Sequence, residues 1–480
     1  MPSEPRTVLF RADASPALGI GHAMRCLTLA GELAGRGWSC RLACAAGTRA
    51  AARALENWPG EVIELPPGRE TDPAALLEMP APHWLVVDHY GLDAAYERAL
   101  AAWAGRILVI DDLADRPHEC DLLLDQTVGR QASDYDGRVG SATLALAGPR
   151  FALLRPGFTG ADPGRELGRI LVSLGGTDPA DATGLALDAL AKAGLGLPVD
   201  VVLGGAAPHL DSVKDRAARL VPPARVLTDV ADMAGVMAAC GLAVGAAGTS
   251  ALERARMALP TVTVVIADNQ RQVAAGLERA GAARLVALDA DAIAEALADL
   301  ARDDEARRRM ARKACALCDG NGAARLADLM AVELRPATLA DGEDLLAWRN
   351  DPLTRENSLE TGQVARDGHF AWLAGVLADP QRLILVGERG EGKVGMVRFD
   401  TMGEREWRVS ISVAPEARGR GLGRVLLAFA VGRIERLRGP GAMVAEIRES
   451  NAASQSIFTA CGFRQSDAAD GVLYFRRPPP

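Results

Sequence analysis

The 480-residue sequence has no excess of positive charge, no cysteine-dense segment and no long apolar run. Its formal net charge of -8 disfavours a general nucleic-acid binder or a basic membrane-surface protein. Eight cysteines spread over this length are too few for a disulfide framework. Cys315 and Cys318 form one pair without a second pair or nearby histidines, which argues against zinc. No metal-ligand cluster stands out, and no metal is expected. The longest uncharged stretch, Met233 to Leu252, is just long enough to span a bilayer. Its four glycines and its Gly-Thr-Ser turn read instead as buried strand and loop. Met1 to Pro5 lacks the basic-then-apolar pattern of a secretory signal. The expectation is a cytoplasmic protein with no membrane or nucleic-acid partner, its oligomeric state left open.

What is present is an ordinary soluble composition, 49% hydrophobic and 24% charged, with length for about two to four domains. Short apolar runs at Thr7–Arg11, Ser39–Cys44, Glu61–Leu65, Trp84–Asp88, Arg106–Asp111 and Asp121–Asp125 alternate with helical patterns. That alternation predicts an open parallel sheet covered on both faces. Ligands of such sheets bind beyond the carboxyl ends of the strands. Asp88-His89-Tyr90 and Asp111-Asp112 fall at those ends. Asp93 and Asp112 are also explained as N-caps; neither His89 nor Tyr90 is needed for a cap.

The stretch from Arg11 to Arg25 joins the first strand to an amphipathic helix through Gly19-Ile20-Gly21-His22. Unpaired N–H groups at such a corner attract anions, and Gly19 and Gly21 let backbone approach a ligand. His22 stands at its lip, and histidine exchanges protons near neutral pH. A lone G-x-G is a weak signal, and its spacing alone favours an ordinary tight turn. Arg11, Asp13, His22 and Arg25, four titratable groups at one corner, tip the reading towards a substrate site, because buried charge is costly without a purpose.

A turn-rich linker near residues 155 to 168 precedes a second alternating unit. Its strand Ile170–Leu174 leads to Gly175-Gly176-Thr177, and Leu242–Ala247 leads to Gly248-Thr249-Ser250. Two small-residue turns in one domain suit a diphosphate, with Glu253 as an acceptor for ribose hydroxyls. For Thr249 and Ser250, simple N-capping is an equal explanation. Asn269 and Gln270 open the next helix at the same sheet edge. Two doubly wound halves facing a cleft describe the GT-B fold.

Gly-x-Gly-His-x-x-Arg at 19–25, Val-Asp-His-Tyr at 87–90 and Gly-Pro-Arg-Phe-Ala-Leu-Leu-Arg at 148–155 follow one ordered pattern. It continues through Ser-Leu-Gly-Gly-Thr-Asp-Pro at 173–179, Gly-Ala-Ala-Gly-Thr-Ser-Ala-Leu-Glu at 245–253 and Asp-Asn-Gln at 268–270. Over roughly residues 6 to 300 the chain thereby resembles the UDP-sugar hydrolases of pseudaminic acid biosynthesis. The resemblance implies His22 as catalytic base, Tyr90 and Asn269 as sugar-facing groups, and inversion at the anomeric carbon; Gln270 is a substrate candidate from its place at the sheet edge.

From Glu333 onward longer strands of mixed polarity take over. Arg418-Gly419-Arg420-Gly421-Leu-Gly423-Arg424 lies between a strand and a helix, where successive N–H groups wrap a pyrophosphate. With Asn451-Ala-Ala-Ser454 further on, residues 333 to 477 resemble the GNAT acetyltransferases, and Trp348 to Asp351 and His369-x-x-Trp372 resemble those acting on a sugar-nucleotide 4-amine. The resemblance implies acetyl-CoA, with Arg418 to Arg424 on its pyrophosphate and Asn451 and Ser454 along the pantetheine arm. Phe458 stands where many of these enzymes have a tyrosine acid, leaving that role vacant. Glu446, at a strand end, is the candidate for amine activation, with a surface carboxylate as the equal alternative.

The expected architecture is α/β: a GT-B-like pair of doubly wound domains at 1–155 and 156–332, then an α+β GNAT domain at 333–480. The expected function is bifunctional. The GNAT domain acetylates UDP-4-amino-4,6-dideoxy-N-acetyl-L-altrosamine, and the paired domains hydrolyse UDP-2,4-diacetamido-2,4,6-trideoxy-L-altrose. The alternative is a GT-B glycosyltransferase joined to a GNAT domain that acetylates another amine or only senses acetyl-CoA.

Overall fold

The computed structural model describes residues 5–15, 18–390 and 392–479. Met1 to Glu4 of the N-terminal stretch and Pro16-Ala17 of the first glycine loop lie outside the described residues. Seven strands form the first sheet: β1 (Thr7–Ala12), β2 (Ser39–Cys44), β3 (Gly60–Glu64), β4 (Trp84–Asp88), β5 (Arg106–Ile110), β6 (Leu122–Asp125) and β7 (Leu144–Ala147). Their order is β3-β2-β1-β4-β5-β6-β7, all parallel. The second sheet repeats the plan with β8 (Ile170–Ser173), β9 (Val199–Leu203), β10 (Arg225–Thr228), β11 (Leu242–Ala246), β12 (Thr261–Val264) and β13 (Arg284–Leu285), ordered β10-β9-β8-β11-β12-β13. Each half therefore reverses direction at one point, between β1 and β4 and between β8 and β11. Loops diverge there and leave a crevice at the carboxyl edge.

Alternation along β1 sorts its side chains into two layers. Val8 and Phe10 pack with Ala23, Cys26, Leu29, Ala30 and Leu33 of helix α1 (Gly21–Ala34). Leu9 faces the opposite layer, with Leu85, Val87 and Leu123. The second half has its own cores above and below its sheet. It supplies the turn leading into helix α2 (Ser250–Arg256). Helix α3 (Gly322–Met330) returns to the first half, where Leu326, Ala327, Leu329 and Met330 join the apolar cluster that contains α1.

The third unit is a mixed sheet of β14 (Glu333–Pro336), β15 (Arg382–Arg389), β16 (Gly392–Gly403), β17 (Glu406–Val413), β18 (Ala442–Arg448), β19 (Arg464–Ala469) and β20 (Val472–Arg477). Its order is β14-β15-β16-β17-β18-β20-β19, antiparallel except between β17 and β18. Helix α4 (Leu422–Arg438) crosses it, and helix α5 (Ala452–Ala460) follows β18. The α/β class, the two doubly wound domains and the α+β third domain all agree with the sequence reading.

The third unit is docked on the first half. Phe429 of α4 meets Trp84 with ring centroids 5.9 Å apart, and the Arg106 guanidinium lies 3.8 Å from the Phe429 ring. Asp328 of α3 receives Arg36 at 2.8 Å, Arg389 at 2.7 Å and Arg420 at 3.2 Å. No helix among the described residues is long and apolar enough to cross a membrane.

Candidate active sites

The first site lies where β1 and β4 part. Ala12 pairs with Asp88, so that carboxylate closes β4 beside the loop into α1. His22 and Arg25, three residues apart on one face of α1, both reach it. Asp88 Oδ1 lies 2.5 Å from His22 Nδ1 and accepts from an Arg25 terminal nitrogen at 2.6 Å; its Oδ2 accepts from Arg25 Nε at 2.6 Å. Burial would raise the Asp88 pKa, but Arg25 and His22 outweigh it and hold the carboxyl well below the usual carboxylate range. The ionised Asp88 fixes the His22 proton on Nδ1, leaving Nε2 as the free acceptor.

Tyr90 stands edge-on to His22, ring centroids 4.5 Å apart. Its hydroxyl lies 3.4 Å from Asp112 Oδ2. Burial, reinforced by Asp112, pushes the phenol up to about 12, so it remains a neutral donor. From the other half, Asn269 Nδ2 reaches to 3.4 Å from the Tyr90 hydroxyl. A Cβ on Gly21 would come within 3.1 Å of the Thr249 methyl, so glycine is what lets the two halves approach at this point.

On the second half Gly175 adopts φ +110°, a conformation that suits glycine, and Gly175-Gly176-Thr177 is exposed after β8. Asp178 caps the following helix through the N–H groups of Ala182 and Thr183. Thr249 makes no capping bond, and the Ser250 hydroxyl accepts from Arg254 at 3.1 Å. The capping explanation for Thr249 therefore fails, and among the described residues its hydroxyl makes no hydrogen bond. Gln270 lies beside Gly248, its carbonyl accepting from Ile266 N–H at 3.2 Å. Glu253 Oε1 is paired with Arg155 at 3.0 Å.

Three of the expected substrate residues are engaged within the protein. Arg11 is fully buried, paired with Asp13 at 2.5 Å and donating to the Glu70 carbonyl. It shares the face of β1 that Leu9 occupies, away from α1, and braces the loop through Asp13 and the Glu70 carbonyl. Asp13 is spent on Arg11, the Ala45 N–H and His89. Arg25 is buried between Asp88 and Asp112 and positions them. Sequence reasoning missed Arg254, whose guanidinium is buried under the Gly248–Ser250 turn, where Gly245 leaves it room. Burial lowers it to about 10, with Glu253 opposing. Its signal was one charged position on the core side of an otherwise apolar helix start.

The second site opens in the third unit. β17 and β18 pair only over Glu406–Ala442, Trp407–Met443 and Arg408–Val444, then separate. A cavity of about 530 Å³ extends from this wedge, lined by Ile411 to Val413 on one side and Asn451 and Ser454 on the other. The turn before α4 is its end wall, with Gly419 at φ +74° and Gly421 at +77°. Gly423 sits so tightly that a Cβ would lie 2.8 Å from Ile457. Ser412 Oγ is buried there without a partner among the described residues. Asn451 Oδ1 caps α5 through the Ser454 N–H at 3.0 Å.

Here too several expected site residues are engaged within the protein. Arg418 lines the cavity but its guanidinium is held by Asp351 at 2.7 Å and Thr354 at 2.8 Å. Arg420 points away, to Asp328. Glu446 lies within β18 rather than at its end, is paired with Arg408 at 3.2 Å and is absent from the cavity lining. Phe458 is buried edge-on against Phe463, centroids 4.9 Å apart.

Residues 331–464 match the acetyltransferase (GNAT) domain family. Over 174 residues the chain is 31% identical to the UDP-2,4-diacetamido-2,4,6-trideoxy-beta-L-altropyranose hydrolase of Campylobacter jejuni, covering 36% of this chain and 61% of that protein. The chain thus spans about three fifths of that relative's length. The crystal structure of MurG from Acinetobacter baumannii aligns over 68% of this chain and 99% of its own at 17% identity, with TM-score 0.48. That of a ribosomal-protein-alanine N-acetyltransferase from Brucella melitensis aligns over 30% and 99% at 27% identity, with TM-score 0.27. The chain joins a region similar to a UDP-sugar hydrolase to a GNAT domain.

Proposed function

We propose that this is a bifunctional sugar-nucleotide enzyme, hydrolysing a UDP-sugar between the paired parallel-sheet domains and acetylating an amine in the GNAT domain. The observation that carries the hydrolase half is the 2.5 Å contact of His22 Nδ1 with ionised Asp88, which leaves Nε2 available beside Tyr90 and Asn269. His22 Nε2 takes a proton from water as the water oxygen bonds to the anomeric carbon. The bond from that carbon to the UDP oxygen breaks, with inversion. Asp88 stabilises the imidazolium that forms. Departing charge is met by the N–H groups and hydroxyls of Gly175-Gly176-Thr177 and Gly248-Thr249-Ser250, with Arg254 beneath the second turn. Gln270 flanks that turn, and Glu253 keeps its second oxygen for a ribose hydroxyl.

In the GNAT half, the N–H groups of the Gly419–Gly423 turn hold the acetyl-CoA pyrophosphate, and Ser412, Asn451 and Ser454 flank the pantetheine arm. Acetyl-CoA supplies the acetyl group to a deprotonated amine. In the reading that joins the two halves, the amine is the 4-amine of UDP-4-amino-4,6-dideoxy-N-acetyl-L-altrosamine. The product, UDP-2,4-diacetamido-2,4,6-trideoxy-L-altrose, is what the hydrolase half cleaves, as a step of pseudaminic acid biosynthesis in the cytoplasm.

The test supplies the acetylated sugar nucleotide in heavy-oxygen water. The label is expected on the free sugar and not on UDP, with His22→Asn abolishing UDP release while CoA release from the 4-amino substrate continues. Label in UDP would overturn cleavage at the anomeric carbon, and transfer to an acceptor sugar in place of water would favour a glycosyltransferase.

A further inference from the structure

The GNAT cavity is not built from the GNAT domain alone. Arg150, from the first half, lines it together with Arg424 and the turn before α4. It follows β7 in the short turn Pro149–Phe151, entered through Gly148 at φ +97°. That turn is tied down: Gly148 N–H donates to the Asp125 carbonyl at 2.8 Å, and Arg325 of α3 donates to the Arg150 carbonyl. The GNAT side is fixed to the same half by Phe429 on Trp84, by Arg389 and Arg420 on Asp328, and by Arg477 donating to Ser141 Oγ at 2.7 Å. The juxtaposition of Arg150 and Arg424 therefore comes from a packed interface, not from two free side chains.

Charge at this end of the cavity is unbalanced. Arg418 and Arg420 are neutralised by Asp351 and Asp328. Arg424 donates to the Ser456 hydroxyl at 2.8 Å and, among the described residues, has no carboxylate partner. Arg150 likewise makes no ion pair among the described residues; its charged form is disfavoured by partial burial and by the neighbouring Arg325 and Arg424. Of these, Arg325 has Asp319 at 2.6 Å. Two guanidinium groups with no ion-pair partner among the described residues, Asp319 acting on Arg150 only at longer range, are a good arrangement for a phosphate monoester, which a planar donor fork recognises.

CoA carries two kinds of phosphate: the pyrophosphate, suited to the N–H groups of the glycine turn, and a dianionic monoester on the 3′ position of its ribose. We infer that Arg150, on the hydrolase-like half, completes the acetyl-CoA site by binding the 3′-phosphate of CoA together with Arg424. This rests on the acetyl-CoA reading of the cavity. It makes the nucleotide end of that site a product of the fusion: the GNAT unit has its full anion complement only when docked on its neighbour.

Calorimetric titration of the full chain with CoA and with dephospho-CoA, which lacks only that monoester, tests the inference. Wild type is expected to bind CoA more tightly than dephospho-CoA. Arg150→Ala should weaken CoA by roughly tenfold, the scale of one charge-assisted hydrogen bond, and leave dephospho-CoA unchanged. Equal binding of CoA by wild type and Arg150→Ala, or an equal loss for both ligands, overturns the role of Arg150 while the acetyl-CoA reading stands. Failure of wild type to bind either ligand overturns both.

Discussion

Asn269 of the second half and Tyr90 of the first meet across the cleft, amide nitrogen to hydroxyl oxygen at 3.4 Å. At this length the contact is weak in itself, but it joins a loop after β12 to the ring that stands edge-on to His22. The two side chains should therefore act as one unit on a bound sugar. Tyr90→Phe and Asn269→Ala are each expected to lower kcat/KM for UDP release roughly tenfold, the scale of one lost polar contact to the reacting substrate. The double variant should lose little more than either single one. A fully multiplicative loss in this double-mutant cycle would show that the two residues act independently.

Asp88 is expected to matter for both rate and acid stability. Asp88→Asn removes the acceptor that keeps the His22 proton on Nδ1, and kcat for UDP release should fall roughly 10³–10⁴-fold, with acetylation intact. The folded state holds the Asp88 carboxyl well below its ordinary 3.8. Its stabilising contribution is therefore fully present above that ordinary value. It is lost as pH falls towards the folded value, because the unfolded chain then binds the extra proton. Thermal melts between about pH 5 and pH 2 should show wild-type Tm dropping more steeply than that of Asp88→Asn; parallel curves would remove Asp88 from the acid transition.

How much of this was legible in the sequence follows from how local each signal is. His22, Tyr90 and Asn269 sit in strand-to-helix turns whose place at a sheet edge follows from the alternation of strands and helices. Arg25 was placed in the right corner without its engagement of Asp88, because that partner lies 63 positions away and only the parallel register brings them together. The burial of Arg11 against Asp13 was not legible because it depends on pleat parity: one step along β1 decides between the α1 layer and the opposite one. The paired arginines show the same limit. Neither the Asp351 that neutralises Arg418 nor the Asp328 that draws Arg420 out of the cavity is a neighbour in sequence. Arg150 belongs to a motif that resembles the hydrolases, and nothing within that motif indicates a second cavity across a domain interface.

Asp328 links three parts of the chain, taking Arg36 from the turn after α1 and Arg389 and Arg420 from the GNAT unit. Burial works to raise its pKa, but the arginines, Arg36 foremost, hold it below the ordinary value. Partly exposed pairs of this kind are worth about 0–1 kcal/mol each and are screened by salt. Asp328→Ala is therefore expected to cost roughly 1–2 kcal/mol, and the penalty should shrink as salt is raised. If the inference about Arg150 holds, the same variant should also weaken CoA more than dephospho-CoA, although Asp328 itself touches neither. A stability loss independent of salt would point to packing of α3 instead.

Phe458 provides the last check, because its position and its chemistry lead to opposite expectations. Read as a missing proton donor, Phe458→Tyr should restore an acid and speed acetylation. The ring, however, is 3% exposed and packed edge-on against Phe463, inside the apolar cluster beneath α5. A hydroxyl added there leaves water for surroundings of Phe463, Leu473 and Phe475, at a cost of about 1–3 kcal/mol if it finds no partner. Phe458→Tyr is accordingly expected to lower Tm and to leave kcat for CoA release unchanged. The leaving thiolate then takes its proton from water or from a group lining the wedge between β17 and β18. A rise in kcat with a bell-shaped pH profile would instead place position 458 at the thiol and reverse the assignment.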